Sequence, residues 1–220
     1  IDLLDEKDNN YYIQMGEAME KFAIETSMAK VYGSDTSHNV IDEGLQILGG
    51  YGFLEEYPLA GAYRDDRINQ IWEGTNEVNR QIIAGFMIKK ALMEELPIRE
   101  AILGIDAFMS SGKLELDNQI LSTECQIIEI AKRFVLFIFN EALCKYGQDL
   151  KHEQQLTEIF ADSFMDIYAA ESTVVRACKI MDSNSPEPTV VDIAKTFTSE
   201  MANRLISQLH TAKNAINEGE

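Results

Sequence analysis

With 220 residues, 45% of them hydrophobic and 25% charged, the chain has enough apolar side chains for one good core or two small ones, which excludes disorder over its length. A formal net charge of -18 excludes nucleic acid as a main partner, because phosphate binding needs a basic stripe; the same charge disfavours an anionic membrane surface. No apolar run approaches the roughly 18 to 20 residues that span a bilayer, so membrane association is not expected.

Ile1 is not an initiator methionine and no basic leader precedes it, so a fragment is expected. After an acidic start, Tyr11 to Gly33 carries Tyr12, Met15, Met19, Phe22, Ala23 and Thr26, then Ala29 and Val31, at the spacing of one helical face. Gly33-Ser34-Asp35 is expected to end that helix. A second runs from about Thr36 to Leu48, with Val40, Ile41, Leu45 and Leu48 on its apolar side, and Gly49-Gly50-Tyr51-Gly52 stops it. From Phe53 past Pro58 an extended crossing with few regular signals is expected. A third helix starts near Thr75 and continues to about Glu94, placing Val78, Ile82, Ile83, Phe86 and Met87 together, and Pro97 closes it.

Beyond Pro97, Ile98 to Ser111 reads as a short amphipathic helix broken at Ser110-Ser111-Gly112. Asp117 to Tyr146 is a long helix ended by Gly147, with Ile120, Leu121, Ile127, Ile128, Ala131, Val135, Ile138, Phe139 and Leu143 recurring at three and four residues. Leu156 to Met181 and Val190 to about Ile216 are two more, separated by a loop from Asp182 to Pro188 and followed by a polar tail. The expected fold is therefore all-α, with residues 1–96 forming one helical part and 97–220 an antiparallel bundle. The aromatic run from Phe134 to Phe139 belongs to the core of that bundle. Cys125, Cys144 and Cys178 read as buried free thiols, which suits a reducing cytoplasm. His38, His152 and His210 are far apart, and no metal-ligand spacing is present.

Two stretches stand out for chemistry. In Ile71-Trp72-Glu73-Gly74-Thr75, a carboxylate lies beside the sole tryptophan, then a glycine, then a helix start. A carboxylate partly desolvated by a large ring is a candidate general base near neutral pH, Gly74 lets another group approach the backbone, and Thr75 can cap the helix. From spacing alone, the same residues read first as an ordinary loop-to-helix junction. Gln46 to Phe53 exposes backbone amides at its glycines, which can lie against a phosphate or dinucleotide, or form no more than a helix C-cap. It is neither a GxGxxG after a strand nor a Walker loop. Asp65 and Asp66 beside Arg64 and Arg67 form either a charged network holding the Glu73 loop or a solvated cluster.

Taken in order, Gln-Ile-Leu-Gly-Gly-Tyr-Gly-Phe, Glu56-Tyr57-Pro58, Tyr63-Arg64-Asp65, Arg67-Ile68 and Ile-Trp-Glu-Gly-Thr-Asn-Glu closely resemble the C-terminal part of the acyl-CoA dehydrogenase flavoenzymes. The resemblance covers about Tyr11 to Lys90 and is most specific between Gln46 and Arg80. It implies that Glu73 removes the α-proton of an acyl-CoA thioester while FAD takes the β-hydrogen as hydride, giving a trans-2-enoyl-CoA. It also implies that Trp72 and Gly74 face the substrate, and that Gln46, Gly49, Gly50, Thr75 and Glu77 contact FAD. An electron-transferring flavoprotein as electron acceptor and a homo-oligomer are implied by the same resemblance, and the free thiols make the expected location cytoplasmic. Many members carry Glu-Arg where this chain has Ala60-Gly61-Ala62. The helical extension from Ile98 is similar to that of the very-long-chain branch and of long bacterial members. Because the other domains would lie elsewhere, Glu73 is expected to face solvent here. The alternatives are an assembly module built on the second bundle, and an acyl-CoA oxidase-like relative.

Overall fold

A computed structural model describes residues 10–98, 100, 102–105 and 120–218; the acidic start, the break at Ser110-Ser111-Gly112, the onset at Asp117 and the last two residues lie outside them. The fold is all-α, and no strand occurs among the described residues. The chain divides into two compact units, Ile1–Met87 and Ile88–Glu220.

In the first unit, α1 (Tyr11–Lys21) leads into α2 (Ala23–Leu48), which is one uninterrupted helix of 26 residues. The expected stop at Gly33-Ser34-Asp35 is therefore corrected: the break falls at Phe22 instead. Isolated glycine and serine weaken a helix only slightly, and here the Ser34 hydroxyl turns back onto the carbonyls of Lys30 (2.9 Å) and Val31 (3.1 Å) inside the helix. Gly49 does end α2, at φ 56°, and a single turn α3 (Gly50–Phe53) follows. The extended crossing expected after Phe53 is also corrected. Pro58 occupies the first turn of α4 (Pro58–Arg67), where its missing N–H costs nothing, and a 3-10 turn (Ile68–Gln70) continues it. Both α3 and α4 pack on α2. α5 (Asn76–Leu92) begins within two residues of the expected position.

In the second unit, Ile98, Glu100 and residues 102–105 are helical. α6 (Ser122–Tyr146), α7 (Gln154–Met181) and α8 (Thr189–Asn217) pack pairwise into a three-helix bundle. Their directions follow from which residues meet. Lys132 pairs with Glu171 while Phe139 meets Phe160, so α6 and α7 run antiparallel; Asp166 meets Arg204 while Ser163 meets Gln208, so α7 and α8 do as well. The buried stripe of α6, Ile128, Ala131, Val135, Ile138, Phe139 and Ala142, repeats at three and four residues, as one helical face must. At its centre the Phe139 ring meets Phe160 and Phe164 edge-on, at centroid distances of 5.0 and 5.5 Å. The aromatic run is thus core on one face only, since Phe134 is exposed. Gly147, at φ 56°, stops α6 as expected.

The cysteines are free but not deeply buried: Cys144 is exposed, and Cys125 and Cys178 are half-buried. They lie toward the edges of the helical stripes rather than within them. Burial still pushes the Cys125 thiol up, with the neighbouring Cys178 and several glutamates adding to the effect. Among the described residues no helix is long and apolar enough to cross a membrane, and no group of His, Cys, Asp or Glu could hold a metal ion.

Candidate active site

Glu73 and Gly74 form a left-handed turn immediately before α5, at φ 52° and 82°. For a glutamate this region costs roughly 1–2 kcal/mol, so surrounding contacts must hold it. The Lys30 ammonium of α2 donates to the Gly74 carbonyl at 2.8 Å and to Asn76 Oδ1 at 2.6 Å. The Asn79 amide donates to the same Gly74 carbonyl at 2.8 Å and to that of Thr75 at 3.1 Å. Asn76, itself buried, donates to Ser34 Oγ at 2.9 Å and to Asp35 Oδ1 at 2.7 Å. Asp35 also receives Gln70 at 2.9 Å and Arg80 at 3.1 Å. One carboxylate on α2 therefore joins the 3-10 turn to both ends of the first turns of α5.

The Glu73 side chain is exposed, as expected, and Trp72 is 55% exposed. The tryptophan therefore does not bury the carboxylate within this chain. Thr75 caps α5, its hydroxyl accepting the Val78 amide at 3.2 Å. The Glu77 side chain, exposed, bends back to hydrogen-bond at this cap. Its carboxyl lies below the usual range, held there first by its own amide, then by the Thr75 hydroxyl, then by the charges of Arg80 and Arg67, against slight burial.

The glycine stretch forms a second open surface. A Cβ added at Gly49 or Gly50 would meet nothing within 4 Å, and Gln46, Ile47 and Tyr51 around them are exposed. Gly52 differs: its Cβ would lie 2.5 Å from the Leu45 carbonyl oxygen, so this glycine is needed for the close return of α3 onto α2. The open backbone at Gly49 and Gly50 fits an extended dinucleotide arm. Glu77 fits it less well, because an ionised carboxylate presents no donor and occupies part of the helix start.

The charged cluster is solvated at Arg64, Asp65 and Arg67, as one of the two expectations has it, but not at Asp66. Arg64 pairs with Glu55 at 2.8 Å on the surface, whereas Asp66 is buried, accepting Ser37 Oγ at 2.6 Å with His38 Nδ1 at 3.4 Å. Asp66 thus anchors α4 to α2. His38, against the Tyr63 ring, is a packing residue.

Residues 9–88 and again residues 130–220 match the family models described as acyl-CoA dehydrogenase, C-terminal domain. The chain belongs to the acyl-CoA dehydrogenase family. Similar curated proteins include the "Probable acyl-CoA dehydrogenase" of Bacillus subtilis (strain 168), 37% identical over 94% of this chain and 35% of the relative. The mitochondrial very long-chain specific acyl-CoA dehydrogenase of Bos taurus is 31% identical over 78% of this chain and 29% of its own length. An FAD-complexed acyl-CoA dehydrogenase from Bacillus anthracis superposes with a TM-score of 0.89 at 33% identity, over 100% of this chain and 38% of that one. The chain therefore spans only 29% to 38% of the length of these three acyl-CoA dehydrogenases.

The motif reading singled out Trp72 to Glu77, which the fold sets at the turn into α5, and Gln46 to Gly50, which it sets at the end of α2 and the start of α3. It missed Lys30, Asp35, Asn76 and Asn79, which hold the turn. A signal was available on α2: Ser27, Lys30, Ser34 and Ser37 recur at three, four and three residues, a polar stripe on a helix face that packs inward.

Proposed function

We propose that this chain is the C-terminal part of an FAD-dependent acyl-CoA dehydrogenase that converts a long-chain acyl-CoA to its trans-2-enoyl-CoA. The observation that carries this reading is the exposed Glu73 carboxylate on a left-handed turn fixed from below by Lys30 and Asn79. Glu73 is the general base: its carboxylate takes the α-proton of the thioester, and a rigid backbone beneath it keeps the carboxylate in line with that C–H bond. Trp72 and Gly74 flank the acyl thioester, the ring as a wall and the glycine as a surface without a side chain. The chemistry that FAD supplies, when bound, is acceptance of the β-hydrogen as hydride. Gln46, Gly49, Gly50 and Thr75 hold that cofactor, Gly49 and Gly50 by open backbone; Glu77 acts through Thr75.

In this reading the helical part that carries the candidate site ends near residue 96, and 97–220 is an additional C-terminal bundle that takes part in homo-oligomer formation. Electrons leave to an electron-transferring flavoprotein, in the cytoplasm. The chain alone does not turn over, because most of the cofactor and thioester contacts belong to other domains. Acyl-CoA-dependent dye reduction by the isolated chain would contradict this point. For the base itself, Glu73→Gln in the full-length holoenzyme is expected to lose turnover and α-proton exchange by at least about 100-fold. Retention of either assigns the base elsewhere.

A further inference from the structure

We propose that Lys30 is a positioning residue for the base: its ammonium clamps the Gly74 carbonyl and the Asn76 amide, and so fixes the turn that aims the Glu73 carboxylate. The proposal rests on the reading of Glu73 as the base.

The geometry is specific. Lys30 lies in the sequence 44 residues before Gly74, yet its Nζ sits 2.8 Å from that carbonyl and 2.6 Å from Asn76 Oδ1. A backbone carbonyl has two lone pairs, and at Gly74 one takes Lys30 and the other takes Asn79, also at 2.8 Å. With both directions filled, the peptide plane after Gly74 cannot rotate without breaking a bond to α2 or to α5. Gly74 has no side chain to restrict that rotation, and Glu73 occupies a region that glutamate disfavours, at φ 52°. Because the Glu73 side chain is exposed, no packing around it sets its course, and the backbone below it sets the direction in which its Cα–Cβ bond leaves the turn. An ammonium suits the task, since one nitrogen carries three donors and can serve two acceptors at a point. A guanidinium carries its donors on a planar fork and meets the two acceptors less well.

The test uses the full-length holoenzyme with Lys30→Met, Lys30→Arg and Glu73→Gln, read by steady-state kinetics and by amide hydrogen exchange. Lys30→Met is expected to lower kcat about 10- to 100-fold with KM for acyl-CoA changed less than about threefold, the signature of a misaligned base rather than lost binding. Amide exchange is expected to rise in residues 71–79 and to stay unchanged in the other helices. Lys30→Arg recovers part of kcat. If Lys30→Met does not assemble with its cofactor, Lys30→Gln, which keeps an N–H donor group without the charge, carries the same measurements. A kcat within twofold of the native value, with Glu73→Gln inactive, overturns the clamp and leaves the base in place. Loss of kcat with exchange rising throughout the chain makes Lys30 a general stability residue and likewise overturns it. Activity in Glu73→Gln removes the base reading, and the clamp's purpose with it.

Discussion

The Asn76 amide donates to the Asp35 carboxylate at 2.7 Å, joining the first residue of α5 to the middle of α2 across 41 positions of sequence. Asn76 is buried and takes part in bonds to Lys30, Ser34 and Asp35, so removing its side chain leaves several polar groups short of a partner. Asn76→Ala is expected to cost about 1–3 kcal/mol in urea denaturation of the purified protein. A change below a few tenths would mean that water replaces the amide without loss.

Gly52→Ala should be among the most damaging single-methyl changes in the first unit. The added Cβ meets the Leu45 carbonyl at 2.5 Å, a backbone atom that cannot move without displacing α2 or α3, and a loss of about 1–3 kcal/mol is expected. Gly50→Ala, with open space at its Cβ, is expected to be neutral or slightly stabilising. Thermal melts of the two variants side by side check the contrast.

In the bundle, Phe139→Ala removes a fully buried ring that contacts Phe160 and Phe164, and should cost roughly 3–5 kcal/mol. Phe134→Ala, five residues earlier on the exposed face, is expected to cost about 1 kcal/mol or less. Equal losses at the two positions would mean that the faces of α6 are wrongly assigned.

Acid stability should depend on Glu77. Its folded carboxyl is held below the ordinary range, so it contributes stability above the unfolded value near ~4.3 and loses it as pH falls through the lower folded value. Glu77→Gln is expected to flatten the fall in stability below about pH 5, by a small amount because the side chain is exposed. Denaturation midpoints at pH 7 and pH 3.5 test the slope, and an unchanged slope would remove the cap from the explanation.

Much of this was legible in the sequence because it is periodic or ordered. The three-and-four spacing from Ile128 to Phe139 placed α6 and its buried face, and Gly49 and Gly147 marked the ends of α2 and α6 through positive φ. The ordered motif placed Glu73 beside an N-cap. Local signals failed where tertiary contacts override them. Gly33-Ser34-Asp35 looks like a stop, but Ser34 and Asp35 are held in helix by Asn76, Gln70 and Arg80 from far along the chain. Pro58 was read as part of an extended crossing, although proline is also at home in the first turn of a helix. The buried ends of polar side chains, such as Asp66 against Ser37, are a matter of three-dimensional pairing and leave no short-range pattern.

The unbroken course of α2 has a consequence for evolution and engineering alike. Lys30 and Gln46 sit on one rigid rod, about 24 Å apart at a rise of about 1.5 Å per residue, so the helix acts as a ruler between the turn bearing Glu73 and the glycine shelf. Deleting one residue between them would shorten the ruler by only about 1.5 Å but rotate one mark about 100° relative to the other. Substitutions along its exposed side, at Gly33 for example, leave the two marks aligned, whereas length changes do not. The spacing between those two marks, more than the identity of the residues that fill it, is what this helix has to preserve.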